Sequence, residues 1–510
     1  MLQKQGNKIM EIATSELIRK IDNVAEISLG IPTVELMRRA GCAVADTVKK
    51  TIKDGKRVVI LAGGGNNGGD GYAAALVLYS SYDTVVIDLF SKGQRSDAGK
   101  YFLAECEKLG IVTRGMDKAH LEIQKCDIVV DAVFGIGYTG ELSTELRDLS
   151  RAIATLGKKV VAVDIPLGVS ADTAVADEHS LRADATACLC RLKPAHISYP
   201  ALEYMGNIYL SDLGLSEEIE ELPKSNEYIA ADFEFAKKNL PKREALSNKG
   251  TYGHTLHITG SQKYIGAAML SIEASLRTGV GLLTHMGTEN VRGELRARFP
   301  EVIYTDISEK SPVDIIEYSK KFSSILIGCG SGVGEELFLI IKALITSEGA
   351  PLIIDADGIN SIAEFSSPEL FKSARRTVVI TPHPRELSRL SGKSTEYINS
   401  NRIPFSEKFA AQYGVILLLK GAATVITDGK HTVINTSGSS ALAKGGSGDV
   451  LSGIISSLMI NAPSYLSAVA LAAYLHGRAA DTLAEQLSEF GVTPSDLPIA
   501  VAREIKKLLN

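Results

Sequence analysis

Short β-branched runs alternating with helix-length stretches constrain this chain more than any other feature. RVVILAG (57–63), DTVVIDLF (83–90), CDIVVDAVFG (126–135) and KKVVAVDIP (158–166) are apolar in their cores and bounded by glycine, proline or charge. They read as strands covered on both faces, with helical stretches such as DAGKYFLAECEKLG (97–110) between them. Alternation at this spacing dictates a parallel sheet with helices on both sides. Ligands of such sheets sit beyond the carboxyl ends of the strands. Three polar loops fall there: GGGNNGGDG, DAVFGIGYTG and DIPLGVSAD.

Near residue 220 the pattern breaks. Residues 217–250 are charged, carry two prolines and lack a long apolar run, so they read as a connector. Beyond it TYGHTLHITGS (251–261) and the helical IGAAMLSIEASLRTG start a second unit. Its further strand candidates are SSILIGCGSG (323–332), APLIIDADG (350–358), RTVVITPHP (376–384) and GVILLLKGAATVITDG (414–429). A chain of 510 residues also exceeds what one core supports. The expectation is two α/β domains in series, 1–222 and 223–510, with no short repeat.

Composition removes several classes of partner. The net charge of −5 provides no basic field for nucleic acid or anionic membrane. The 9 histidines and 6 cysteines are scattered without zinc spacing, and the thiols read as buried and free. No run approaches 18 apolar residues, and the opening MLQKQGNKIMEIAT lacks a leader core. The expectation is a soluble, cytoplasmic protein with small-molecule ligands, no nucleic acid and no membrane.

AGGGNNGGDG (62–71) offers bare backbone, two amides and a carboxylate, but no lysine. It is not a P-loop, which requires GK[ST], and it matches GxGxxG only loosely. Asn66, Asn67 and Asp70 follow the first strand, Asp131 closes the third and Asp164 the fourth. Amides and carboxylates converging on one sheet edge suit a monovalent cation and a polar ligand. Phosphates there would rest on backbone N–H groups and a helix N-terminus, which glycine lets approach closely. In the second half GGSGD (445–449) opens the helical VLSGIISSLM. Its small residues offer an anion hole for a transferring phosphoryl group, with Asp449 placed to deprotonate an acceptor hydroxyl. Lys420 and the Gly-Ala turn after it suit a nucleotide.

In order, GIPTVELMRRAG (30–41), AGGGNNGGDGY, DAVFGIGYTGEL and VDIPLGVSAD resemble the motifs of the NAD(P)H-hydrate epimerases, the YjeF N-terminal family. The resemblance implies a Rossmann-like fold that interconverts the R and S epimers of hydrated NADH or NADPH. It also implies a substrate site of Asn66, Asn67, Gly68, Gly69 and Asp70, with Gly135, Ile136, Gly137, Tyr138, Thr139, Gly140, Glu141 and Asp164. Asn67 and Asp131 would ligate K+, and Asp131 would serve as the acid or base at the hydroxyl. The second half resembles the ADP- or ATP-dependent NAD(P)H-hydrate dehydratases through residues 249–281, LIGCGSG, IDADGIN, TPHPRE, LLKGAAT and GGSGDVLSGII. This implies a ribokinase-like fold that dehydrates the S-epimer with a nucleotide phosphoanhydride. Substrate contacts would be Ala267, Gly330, His383 and Asp449, the last also catalytic. Lys420, Gly421, Ala422, Ala423, Thr424 and Gly448 would bind the nucleotide. Fused members mostly use ADP, which implies ADP with Mg2+ here, and the family implies a homo-oligomer.

Leu167 stands where the epimerases carry a serine that ligates potassium, so either a carbonyl and water complete the shell or the ion binds more weakly. Arg385 replaces a commoner glycine. The alternative is a ribokinase-like small-molecule kinase fused to a non-catalytic dinucleotide-binding module.

Overall fold

The structure is a computed structural model that describes residues 12–509, apart from 53–54, 91–94, 217–218, 220, 225–226 and 309. Most of the opening segment read above for a leader therefore lies outside the described residues, as does part of the connector. The chain divides into two compact units between Tyr228 and Ile229.

The first unit is a seven-stranded sheet, with β1 (Arg57–Ala62), β2 (Asp83–Asp88), β3 (Val112–Gly115), β4 (Ile128–Ala132), β5 (Lys159–Val163), β6 (Ala185–Leu189) and β7 (Asn207–Ser211). Its order is β3-β2-β1-β4-β5-β6-β7 and every pairing is parallel. Burial explains why the central runs were legible. Val58, Ile60 and Val130 face one apolar cluster while Val59, Leu61 and Val129 face another. A strand with both neighbours paired and both faces covered keeps only apolar side chains. β3, β6 and β7 escaped the sequence reading: VTRG is a half-exposed edge, and ATACL and NIYLS carry small or polar residues. The order reverses between β1 and β4, the crevice where such sheets bind ligands.

The second unit is a ten-stranded sheet: β8 (Tyr228–Ala231), β9 (His254–Ile258), β10 (Leu282–Gly287), β11 (Ile303–Asp306), β12 (Ser324–Ile327), β13 (Leu352–Ile354), β14 (Val378–Ile380), β15 (Ile416–Leu419), β16 (Val425–Thr427) and β17 (Thr432–Asn435). They run in the order β11-β10-β9-β12-β13-β14-β15-β16-β17-β8. From β11 to β15 the pairs are parallel, and β15-β16-β17 are antiparallel.

Three expectations need correction. NNGGDG is not a loop but the opening of the helix Asn66–Leu78. Alanine-rich sequence downstream propagates the helix back through the glycines, which are retained for packing. A Cβ on Gly63 would stand 1.9 Å from Val133 O, and one on Gly68 2.0 Å from Gly63 O. The connector is not featureless: it contributes β8 and the helix Phe233–Asn239, capped by Asp232, and these are too short to show periodicity. GVILLLKGAATVITDG is not one strand but the pair β15 and β16, turned at the Gly-Ala segment where Ala423 has φ +49°.

Candidate functional site

Two recesses gather the residues singled out by sequence, one in each unit. Each lies at the start of a helix whose N-cap is glycine, Gly65 for Asn66–Leu78 and Gly446 for Ser447–Leu458. Neither helix has a side-chain cap, whereas Thr14, Ser96 and Ser143 cap others in the chain. Uncapped first-turn N–H groups remain available to a ligand anion.

In the first recess Asn67 is buried and donates through Nδ2 to Phe134 O at 2.8 Å, with its Oδ1 beside Gly135. This ties the start of the helix Asn66–Leu78 to the loop after β4. Asp131 is fully buried, and its carboxylate accepts N–H groups from Leu167 (2.6 Å) and Val133 (3.2 Å). Burial outweighs the opposing pull of the two backbone N–H groups and pushes it up to about 6. No cation pairs with Asp131 among the described residues. A buried carboxylate in that condition is an oxygen donor suited to a metal ion, and the Asn67 amide adds a second hard oxygen. Leu167 adds none from its side chain, which packs in the apolar core. Its carbonyl already accepts from Leu181 N–H at 3.0 Å.

Asp70 is half-buried. Burial and the carboxylates of Asp164 and Asp22 raise it well above the usual range, with Lys193 opposing. Asp164 sits beyond β5 at φ +63°, its carboxylate accepting from Leu189 N–H and from the buried Lys193 ammonium at 2.5 Å. Burial works against the charge on Lys193, but Asp164 holds that ammonium above its usual value. Gly137, Thr139, Gly140 and Glu141 form an exposed rim, where Glu141 pairs with Arg147. Half-buried Ile136 accepts through its carbonyl from Ser15 Oγ. Tyr138 turns inward, stacked on Phe134, its hydroxyl donating to Gly140 O.

The second recess is built around Asp355, which follows β13 and is 1% exposed. Its carboxylate takes Lys420 Nζ at 2.7 Å and Ser452 Oγ at 2.7 Å, and Cys329 Sγ lies 3.8 Å away. Burial opposes its ionisation, but the Lys420 ammonium and the hydrogen bonds hold it below the usual carboxylate range. Asp449, in the first turn of Ser447–Leu458 and three residues before Ser452, is half-buried. Burial and then the Asp355 carboxylate push it up to about 7. Gly448 passes so close to Lys420 that a Cβ would lie 3.2 Å from Nζ. His383 caps the helix Pro384–Ser391, its Nδ1 accepting from Arg385 and Glu386 N–H, while Glu386 Oε2 accepts His383 N–H and lies 4.0 Å from Lys420 Nζ. Burial, then Asp355, raises Glu386. Ala267 meets Gly330, whose Cβ would stand 2.6 Å from that of Ala267. Thr424 Oγ1 donates to Gly421 O, closing the turn at the exposed Gly421 and Ala422.

Sequence reasoning missed Lys193, His196, Asp355 and Glu386. Asp355 and Glu386 lie inside the quoted IDADGIN and TPHPRE, so only their roles went unread. Lys193 carried one signal, a lysine before proline in the apolar stretch 185–198.

A family model described as NAD(P)H-hydrate dehydratase matches residues 255–503, and one described as YjeF-related protein N-terminus matches residues 33–195. The chain is 30% identical to the bifunctional NAD(P)H-hydrate repair enzyme Nnr of Dictyoglomus turgidum, over 98% of this chain and 99% of that one. It is 31% identical to the enzyme of the same name from Escherichia coli K12, over 94% and 91%. A solved ribokinase-like superfamily protein from Enterococcus faecalis is 28% identical and covers 55% of this chain and 96% of its own, at a TM-score of 0.50.

Proposed function

The chain belongs to the bifunctional NAD(P)H-hydrate repair enzymes, and from that premise we propose which residues carry each half of the repair. The first unit epimerises the R and S hydrates of NADH and NADPH, and the second dehydrates the S-epimer using ADP.

The dehydratase reading is carried by one observation: Asp449 stands in the first turn of an uncapped helix, beside a buried Asp355–Lys420 pair. Hydroxide is a poor leaving group and phosphate a good one. Asp449 takes the proton from the ring hydroxyl as the hydroxyl oxygen attacks the terminal phosphoryl group of ADP. The N–H groups at the helix start receive the charge that develops on that group. AMP leaves as the phosphoryl group is transferred. The ring-nitrogen lone pair then expels the phosphorylated oxygen as phosphate, and loss of a proton from the neighbouring ring carbon restores the dihydronicotinamide. A base titrating near neutrality suits proton removal at physiological pH. Lys420 to Thr424 and Gly448 hold the nucleotide, and Ala267, Gly330 and His383 border the acceptor. Mg2+ arriving with the nucleotide would be held by Glu386 and Asp355, which present carboxylate oxygens to the same recess, and would neutralise phosphate charge.

In the first unit Asn66 to Asp70, the rim Gly135 to Glu141 and Asp164 take the substrate. Asn67 and Asp131 would hold K+, which would supply positive charge beside the substrate. The buried, cation-free Asp131 carboxylate supports that assignment. Because Asp131 has no exposed surface, its effect on proton transfer passes through the ion and through Leu167, whose N–H it accepts.

Full-length protein supplied with R-hydrate and ADP should form NADH faster than spontaneous epimerisation allows. Activity on S-hydrate alone would leave only the dehydratase. Phosphorylated small-molecule products without NADH would favour a kinase.

A further inference from the structure

The segment AGGGNNGGDG brings two amides and a carboxylate but no lysine. The fold supplies one from 123 residues beyond Asp70. Lys193 is fully buried, and its ammonium donates to Asp164 Oδ1 (2.5 Å) and Leu189 O (2.6 Å). Its backbone N–H donates to His196 Nδ1 at 3.0 Å, so the proton of that ring sits on Nε2, 2.8 Å from Asp164 O. Leu189 N–H also donates to Asp164 Oδ1, at 3.0 Å. These contacts fix Asp164 at φ +63°, a conformation that non-glycine residues seldom adopt. Oδ1 is saturated while Oδ2 takes no hydrogen bond among the described residues. A buried ion pair is a poor stabilising device compared with apolar packing, and strain held in this way marks a working site.

We propose that Lys193 is the positioning residue of the epimerase site: it clamps Asp164 through Oδ1 so that Oδ2 exchanges a proton with the substrate hydroxyl, while Asp70 exchanges one with the ring nitrogen. The inference rests on the epimerase reading above. Asp164 takes the hydroxyl proton, the hydroxyl oxygen becomes a carbonyl oxygen, and the bond from its carbon to the ring nitrogen breaks. That nitrogen takes a proton from Asp70. Rotation about the neighbouring carbon–carbon bond presents the other carbonyl face, and the same transfers in reverse close the ring in the opposite configuration. No atom or electron is gained or lost.

Asp70, half-buried near the start of the helix Asn66–Leu78 that follows β1, keeps its proton well above the usual carboxylate range through burial and then the charges of Asp164 and Asp22. Asp164 has the ammonium instead. The remaining titratable groups facing the pair are Asp22, raised to about 6, His196, lowered by burial to about 4, and the thiols of Cys188 and Cys190, which burial raises.

The test follows R-hydrate consumption by the full-length chain from pH 5 to 9, with a separate dehydratase in excess, for wild type, Lys193→Met, Lys193→Arg and Asp70→Asn. Lys193→Met should lower kcat by about 100-fold, within the range for disturbed acid–base catalysis, and leave KM within about threefold. Its kcat/KM pH profile should differ from that of wild type, because the Asp164 carboxylate has lost the Lys193 ammonium. Lys193→Arg should recover part of kcat and of the profile. Should Lys193→Met fail to fold by thermal melting, Asp70→Asn tests the couple, with a comparable loss in kcat expected. Wild-type kcat and profile in folded Lys193→Met, or wild-type kcat in Asp70→Asn, overturns the proposal. A wild-type chain that consumes no R-hydrate overturns the epimerase reading instead.

Discussion

At the scale of residues, protonation of a few carboxyl groups sets both activities. Asp449, pushed up to about 7 by burial and Asp355, acts as a base only when ionised. The kcat/KM for S-hydrate should therefore rise with pH through about 7 and level off above it. Asp449→Asn should cost about 10²–10⁴-fold in kcat, with ADP affinity measured by calorimetry nearly unchanged. Asp355→Asn removes one of the causes that raise Asp449, so the rising limb should move to lower pH while kcat falls. An unmoved limb would mean that another group titrates. In the first unit Asp131→Asn should impair epimerisation and weaken its response to K+. Leu167→Ser should lower the K+ concentration giving half-maximal rate, since a hydroxyl replaces a buried methyl-rich side chain next to Asp131. A wild-type rate independent of K+ would remove the ion from the site.

At the scale of elements, the start of the helix Asn66–Leu78 is held by contact between backbones. A Cβ on Gly68 would stand 2.0 Å from Gly63 O, and one on Gly71 would meet Ala132 Cβ at 2.7 Å. Gly68→Ala should lower stability by about 1–3 kcal/mol or more through overpacking, seen as a lower midpoint in the urea unfolding of the first unit. It should also reduce epimerisation, because the helix start carries Asn67 and Asp70. Unchanged stability would show that the helix shifts freely. The sequence announced these glycines but assigned them to ligand approach. Only the pairing of β1 with β4, which brings Val133 against Gly63, shows that they serve the approach of helix to strand.

At the scale of the whole molecule, each unit carries its own sheet, core and recess, which predicts that the second folds without the first. Residues 223–510 should dehydrate pure S-hydrate at close to the full-length rate. Residues 241–510 lack β8 and the helix Phe233–Asn239, which bury Ala231, Phe235 and Ala236 in the main apolar cluster. Losing the Phe235 contact alone should cost about 1.5–3 kcal/mol, lowering the melting temperature relative to 223–510. Equal melting temperatures would show that the segment is a passive connector after all. Among the described residues, no helix is long and apolar enough to cross a membrane.

The sequence alone determined the α/β architecture and picked out the segments on which both proposed sites are built. Central strands buried on two faces must be apolar throughout, and the glycine-rich segments that follow β1 and precede Asp449 are local in the chain. Both signals therefore survive in a linear reading. The tertiary structure alone decided who faces whom. Lys193 reaches Asp164, and Lys420 reaches Asp355, across 29 and 65 positions. A lysine in a run of apolar residues does not announce its partner, because the pairing comes from strands laid side by side. Edge elements such as β3 and β8 were likewise invisible, since an edge strand needs little hydrophobic sequence and owes its form to the neighbour it pairs with.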